Sequence, residues 1–245
     1  MKAINNITWT EFKLKVREPV GTFFTLVFPL LILLLFGTIY GNEPSDFLGG
    51  RGSIDNSVPG YIAMIIGTTG MIGLPIALSV YREQGVLRRF RAAPVTPALV
   101  LGSQVTVNLI ITLIGTSFLV IAGVLVYDLT LPAAPLAAIL AVVISGLSFL
   151  SVGFVLASLA PNAVAAQAIG MALYFPMMFL SGAALPSQLL PDGLVAFSRF
   201  LPLTHVVHLL QDLWYGDGWN LASLTVLLGM TIVSIFISMR AFRWE

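Results

Sequence analysis

The 245-residue chain contains no cysteine. Disulfides, thiolate zinc sites and a cysteine nucleophile are therefore excluded. Charge is scarce: 9% of residues are charged, against about 25% in soluble domains. That excludes an ordinary soluble domain, and the 58% hydrophobic content excludes a disordered chain. Twelve Lys and Arg and a net charge of +1 are too little for a nucleic-acid surface, and no nucleic-acid partner is expected. No G-x-x-x-x-G-K-[ST] phosphate loop is present, so this chain is not expected to hydrolyse ATP.

What the sequence has is long apolar runs. A membrane-crossing helix needs about 20 apolar residues, and six stretches qualify: 22–40, 59–81, 98–127, 135–159, 164–185 and 220–239. The fold class is an all-α polytopic membrane protein. No small-residue cleavage site follows the first span, so no cleavable signal is expected. Ten of the twelve cations fall in segments on one side: Lys2, Lys13, Lys15, Arg17, Arg82, Arg88, Arg89, Arg91, Arg240 and Arg243. The other side holds only Arg51 and Arg199, with seven of the eleven acids. Cationic segments stay inside, which places both termini in the cytoplasm. The clear charges lie outside the spans, which weighs against the alternative of a channel or secondary carrier working without an ATPase partner. No nucleophile, base and orienter cluster is evident around Ser181 and the two histidines, against an intramembrane enzyme.

Between the second and third spans lies Tyr81 to Arg91. On a helix at about 100° per residue, Val86, Leu87 and Phe90 share an arc opposite Arg82, Arg88, Arg89 and Arg91. Glu83 falls within the apolar arc, where a carboxylate needs a partner. Lys15 and Arg17 are the candidates. A cationic loop serves as a topological anchor or as a structured contact, and the glutamate favours the contact. The N-terminal 1–20 segment reads as an interfacial helix with Trp9 at the headgroup level. Residues 186–219, punctuated by prolines, read as two short apolar helices, 194–200 and 204–215, dipping into the outer leaflet. Thr204 is a candidate N-cap and Gly216 a stop. His205, His208 and Asp212 lie on one helical face. Three ligands on one helix favour an amphipathic face over a metal site, and no metal is expected.

Two stripes of adaptable side chains recur at helical spacing. Tyr61, Met64, Thr68 and Met71 lie on the second span; Gln167, Met171, Tyr174 and Met178 lie on the fifth. Met surfaces suit varied apolar ligands, although helix packing is the commoner use of such stripes. Gly67, Gly70 and Gly73 permit close helix approach, and Pro75 and Pro176 each remove a helical hydrogen bond.

Three stretches carry a family resemblance. They are Glu83-Gln84-Gly85-Val86-Leu87-Arg88-Arg89 with Ala93-Pro94-Val95; Leu180-Ser181-Gly182 with Pro186 and Pro191; and Pro202-Leu203-Thr204-His205 ending at Gly216. In this order, with six spans, the chain resembles the membrane subunit of a type-2 ABC exporter over essentially its full length. That group contains drug-resistance, polysaccharide-export and lipid-export permeases. The resemblance implies that residues 82–97 form a cytoplasmic coupling loop, with Arg82, Glu83, Gly85, Val86, Leu87, Arg88, Arg89, Phe90 and Arg91 meeting a separate ATP-binding subunit. It implies an N-terminal connecting helix carrying Lys15 and Arg17, a re-entrant outer hairpin, and a substrate path along the second and fifth spans. It further implies two ATP-binding subunits that supply ATP and Mg, a second permease copy in a homodimer or a sibling in a heterodimer, and a bacterial-type cytoplasmic membrane. The cargo would be a drug, lipid, peptide or glycolipid. Gln211 and His208 depart from the family, whose members often carry an arginine and an acid there.

Overall fold

The computed structural model describes residues 2–17, 19–86, 97–186 and 189–241. Among these, every named element is helical, apart from one isolated bridge between Ser45 and Arg51. Helix α1 (Lys2–Val16) precedes α2, which spans residues 19–40. Then come α3 (Ser53–Glu83), α4 (Pro97–Tyr127), α5 (Pro135–Leu159) and α6 (Ala163–Leu180). Short α7 (Asp192–Ser198) and α8 (Pro202–Tyr215) lead to α9 (Leu221–Ala241). Six helices, α2 to α6 and α9, are long and apolar enough to cross a membrane.

Helix α3 is the centre of the bundle. Its most apolar stretch is 89% buried, against 17% for α9. Tyr61, Met64, Ile65 and Ile66 pack within one core with Tyr174, Phe149, Leu210 and Trp214. The outer helices instead expose Leu35, Ile39, Phe118, Leu125, Ile232 and Phe236, as lipid-facing surfaces do.

Proline sets the local geometry of the spans. Pro29 and Pro75 have no N–H to donate, and the turn before each opens into a π-helical segment, Phe23–Val27 and Thr69–Gly73. In α3, Leu74 N–H reaches back to Thr69 O. The Gly70 and Met71 carbonyls thereby lose their ordinary helical donors. Glycines of two neighbouring helices occupy the space in front of them. A Cβ on Gly153 of α5 would collide with Gly70 O, and one on Gly170 of α6 with Met71 O. The hydrogen standing in place of each Cβ points at the oxygen instead.

Boundaries differ from the sequence reading at α3, α6, α7 and α8; α7 runs from Asp192 to Ser198 rather than over 194–200. Helix α3 begins at Ser53, with Pro59 inside it. The Asp55 carbonyl that Pro59 leaves free accepts from the Tyr215 hydroxyl, so the proline does not end the helix. Helix α6 stops at Leu180 rather than 185, because Gly182 turns the chain at φ +83°. Helix α8 starts at Pro202, whose fixed φ suits the first helical position. Thr204 is thus not the N-cap; its hydroxyl donates to Ser198 O and ties α8 to α7. Helices α7 and α8 meet at 92°, a bend that partly fits the re-entrant hairpin expected. Gly216 ends α8 at φ +90°.

Candidate functional site

The end of the bundle that carries α1 holds two linked polar assemblies. The first is a grip. Helix α3 ends at Glu83, and Gly85 turns the chain at φ +66°. Arg82 donates to Ala157 O at 3.1 Å and to Ala160 O, at the C-terminal end of α5. Glu83 accepts from Ala163 N at 2.6 Å, at the start of α6. A cation therefore sits on the carbonyl end of one helix and a carboxylate on the amide end of the next. Each charge complements its helix dipole. Asn162 supplies the remaining cap by accepting from Ala165 N at 2.8 Å. The start of the expected coupling element thus holds the α5–α6 turn from both sides.

This corrects the expected pairing. Glu83 is exposed, and its partner is a helix N-terminus rather than Lys15 or Arg17. Arg82 does not face away from the protein but caps α5. Leu87, Arg88, Arg89, Phe90 and Arg91 lie outside the described residues.

The second assembly surrounds Glu11, which the sequence reading missed. Glu11 is buried on α1. It accepts from the Tyr81 hydroxyl of α3 and from Gln104 Nε2 of α4 at 2.6 Å. Lys15 is also buried, and its Nζ stands 2.8 Å from where a Cβ on Gly73 would lie. The connecting helix therefore reaches the π-helical segment of α3 through Lys15. The i, i+4 pair of Glu11 and Lys15 was the available signal.

Burial pushes the Glu11 carboxyl up from its ordinary value, against the lowering effect of Tyr81, Gln104 and the Lys15 ammonium. A carboxyl with a raised folded-state pKa binds its proton more tightly when folded. Its stabilising contribution is full below the unfolded value, about 4.3, and is lost as pH rises through the folded value. The melting temperature of the purified protein should therefore fall over that window. Glu11→Gln should flatten this part of the pH profile, measured by thermal unfolding in detergent.

The two stripes are brought against each other within one protomer. The Tyr174 hydroxyl donates to Met64 O at 3.1 Å, Gly67 packs on the Tyr174 ring, and Gly170 packs on Met71 O. Tyr61, Met64, Thr68, Met71, Tyr174 and Met178 are buried, while Gln167 and Met171 are partly exposed.

At the far end, α8 is latched to α3 and to the α4–α5 connection. Asp55 accepts from Thr130 N at 2.8 Å and from its hydroxyl at 3.1 Å. Trp214 Nε1 donates to Thr130 O at 2.8 Å, and the Arg51 guanidinium lies 3.5 Å from the Tyr215 ring centre. Asn42 caps α3 from a distance, accepting from Ile54 N and Asp55 N, both at 3.0 Å. Gln211 donates to Asn56 O at 3.2 Å. His205 contacts Ser223 and Arg199 O, and Asp212 accepts from Asn220. Among the described residues no group of three or more His, Asp or Glu could hold a metal. Asp55→Ala should speed hydrogen exchange of the Thr130 amide about ten-fold, the effect of losing roughly 1.4 kcal/mol of hydrogen bonding. Exchange mass spectrometry of the α4–α5 connection reads this directly.

Six apolar helices around a buried central span, with a sharply bent helical pair before the last, define a polytopic membrane protein. The family model for ABC-2 type transporters matches residues 2–215. The chain belongs to that family. It is 25% identical over 208 residues to transport permease ycf38 of Porphyra purpurea, covering 83% of this chain and 71% of that one. Nodulation protein J of Bradyrhizobium diazoefficiens is 32% identical over 147 residues, 59% of this chain and 55% of its own length. ABC transporter G family member 20 of Dictyostelium discoideum is 25% identical over 215 residues; the match covers 84% of this chain and 28% of that protein. The chain is thus the membrane component of an ABC transporter.

Proposed function

We propose that the chain is the permease subunit of an ATP-driven exporter that moves a hydrophobic or amphipathic substrate out of the cytoplasm or inner leaflet. The observation that carries this reading is the grip of Arg82 and Glu83 on the α5–α6 turn. A push on the segment after Gly85 reaches α3, α5 and α6 together, since all three meet at these two side chains. In this reading the α1 end is cytoplasmic, two ATP-binding subunits dock there with ATP and Mg, and two permeases form a C2 dimer. The path runs along α3 and α6. Their stripes are closed against each other here and separate about the π-helical turn of α3 and Pro176 of α6.

Co-expression with an ATP-binding subunit, followed by purification into nanodiscs, tests the assembly. Native mass and ATPase rate are read on the same sample. A two-plus-two mass with vanadate-sensitive hydrolysis supports the reading. A stable permease that recruits no ATPase contradicts it.

A further inference from the structure

A cavity of about 300 Å3 opens where α1 crosses α3 and α4, and the grip makes no use of it. Its lining mixes polar side chains, among them Glu11, Lys15, Tyr81 and Gln104, with apolar ones, among them Leu14, Ala77 and Val80. Leu14 of the lining is exposed, as is Trp9 on the same helix, and the Lys13 ammonium stands 5.1 Å from the Trp9 ring centre. An exposed Trp carrying a cation marks the headgroup level of a bilayer. The cavity thus lies where polar and hydrocarbon regions meet.

The lining holds one carboxylate and one ammonium, both on side chains withdrawn from solvent. An anionic ligand would meet repulsion from Glu11, and a cationic one repulsion from Lys15. A ligand bearing both charges meets an opposite charge at each, in addition to the contacts Glu11 and Lys15 already make. Glu11 Oε2 already accepts from Tyr81 and Gln104. A carboxylate offers about four acceptor sites, so it has capacity for further N–H donors. A primary ammonium supplies three such donors; a trimethylammonium supplies none.

We infer that this cavity binds the headgroup of a zwitterionic aminophospholipid from the adjoining leaflet, with its ammonium on Glu11 and its phosphate on Lys15. The first acyl carbons run along Leu14 and Val80 into the hydrocarbon. Charging Glu11 against an ammonium also offsets the burial that raises its proton affinity.

The test is native mass spectrometry of the full chain in detergent with an equal mixture of phosphatidylethanolamine, phosphatidylcholine and phosphatidylglycerol. The wild type should retain one phosphatidylethanolamine per protomer, about ten-fold over either competitor, as one charge-assisted hydrogen bond implies. Glu11→Gln should remove that preference. Ala77→Phe should fill the cavity and lower retention while leaving the polar cluster intact, and it carries the test if Glu11→Gln is not recovered folded. Equal retention of the three lipids by the wild type overturns the inference, as does a preference that survives Ala77→Phe. The measurement uses neither ATP nor an ATPase, so its failure leaves the export reading untouched.

Discussion

Glu83→Ala is expected to leave ATP hydrolysis by the partner running while export falls about ten-fold. The carboxylate makes one bond, 2.6 Å to Ala163 N, at the positive end of α6. Its loss removes a charge-assisted hydrogen bond worth roughly 1.5–3 kcal/mol, and 1.4 kcal/mol is about a factor of ten. Glu83→Gln keeps an acceptor and loses only the charge, so its defect should be smaller. Arg82→Met should resemble Glu83→Ala, because it uncaps Ala157 and Ala160 of α5. Transport and ATPase measured in the same proteoliposomes check the series. Parallel loss of both activities in all three variants would point to misfolding; normal export by Glu83→Ala would remove the grip from the mechanism.

Gly153→Ala should destabilise the protein by about 3 kcal/mol, at the upper end of overpacking effects. The added methyl would collide with Gly70 O. That neighbour is backbone, held by the π-helical turn before Pro75, and has little freedom to withdraw. Gly170→Ala, against Met71 O, should behave alike. Gly229 and Gly102 also lie in membrane-crossing helices, but nothing stands within 4 Å of a Cβ there. Their alanine variants should unfold at wild-type temperature or slightly above, since alanine is the better helix former. Thermal unfolding of the four variants in one detergent separates glycine that is needed for packing from glycine that is not.

Hydropathy read the spans well because a bilayer imposes its thickness on each of them. The bent pair of short helices was also legible, through its prolines and Gly216. The grip was not. Projecting residues 82–91 on one helix carried the 100° spacing across Gly85, where the chain turns, and so placed Glu83 on the wrong side. The Glu11 assembly was hidden for another reason: its partners Tyr81 and Gln104 lie 70 and 93 positions away. The stripes illustrate a third limit. Periodicity showed that Met64 and Met71 share a face, but not that Tyr174 and Gly170 of the same chain cover it. The π-helical turn before Pro75 is understood only once the neighbouring helices are seen to supply Gly153 and Gly170 at the freed carbonyls.

The central claim is that α6 moves with the end of α3 during the ATP cycle. Because the chain has no cysteine, the permease can be spin-labelled at Gln84→Cys and Val164→Cys without other changes to it, and then assembled with unlabelled ATP-binding subunits. Pulsed electron resonance then gives the distance within one protomer, free of nucleotide and trapped with vanadate. One narrow, unchanged distance in the wild type, broadened when Glu83→Ala is added, is the predicted result. A distance that shifts on trapping while Glu83 is in place, or one that stays equally narrow when Glu83→Ala is added, would contradict the account.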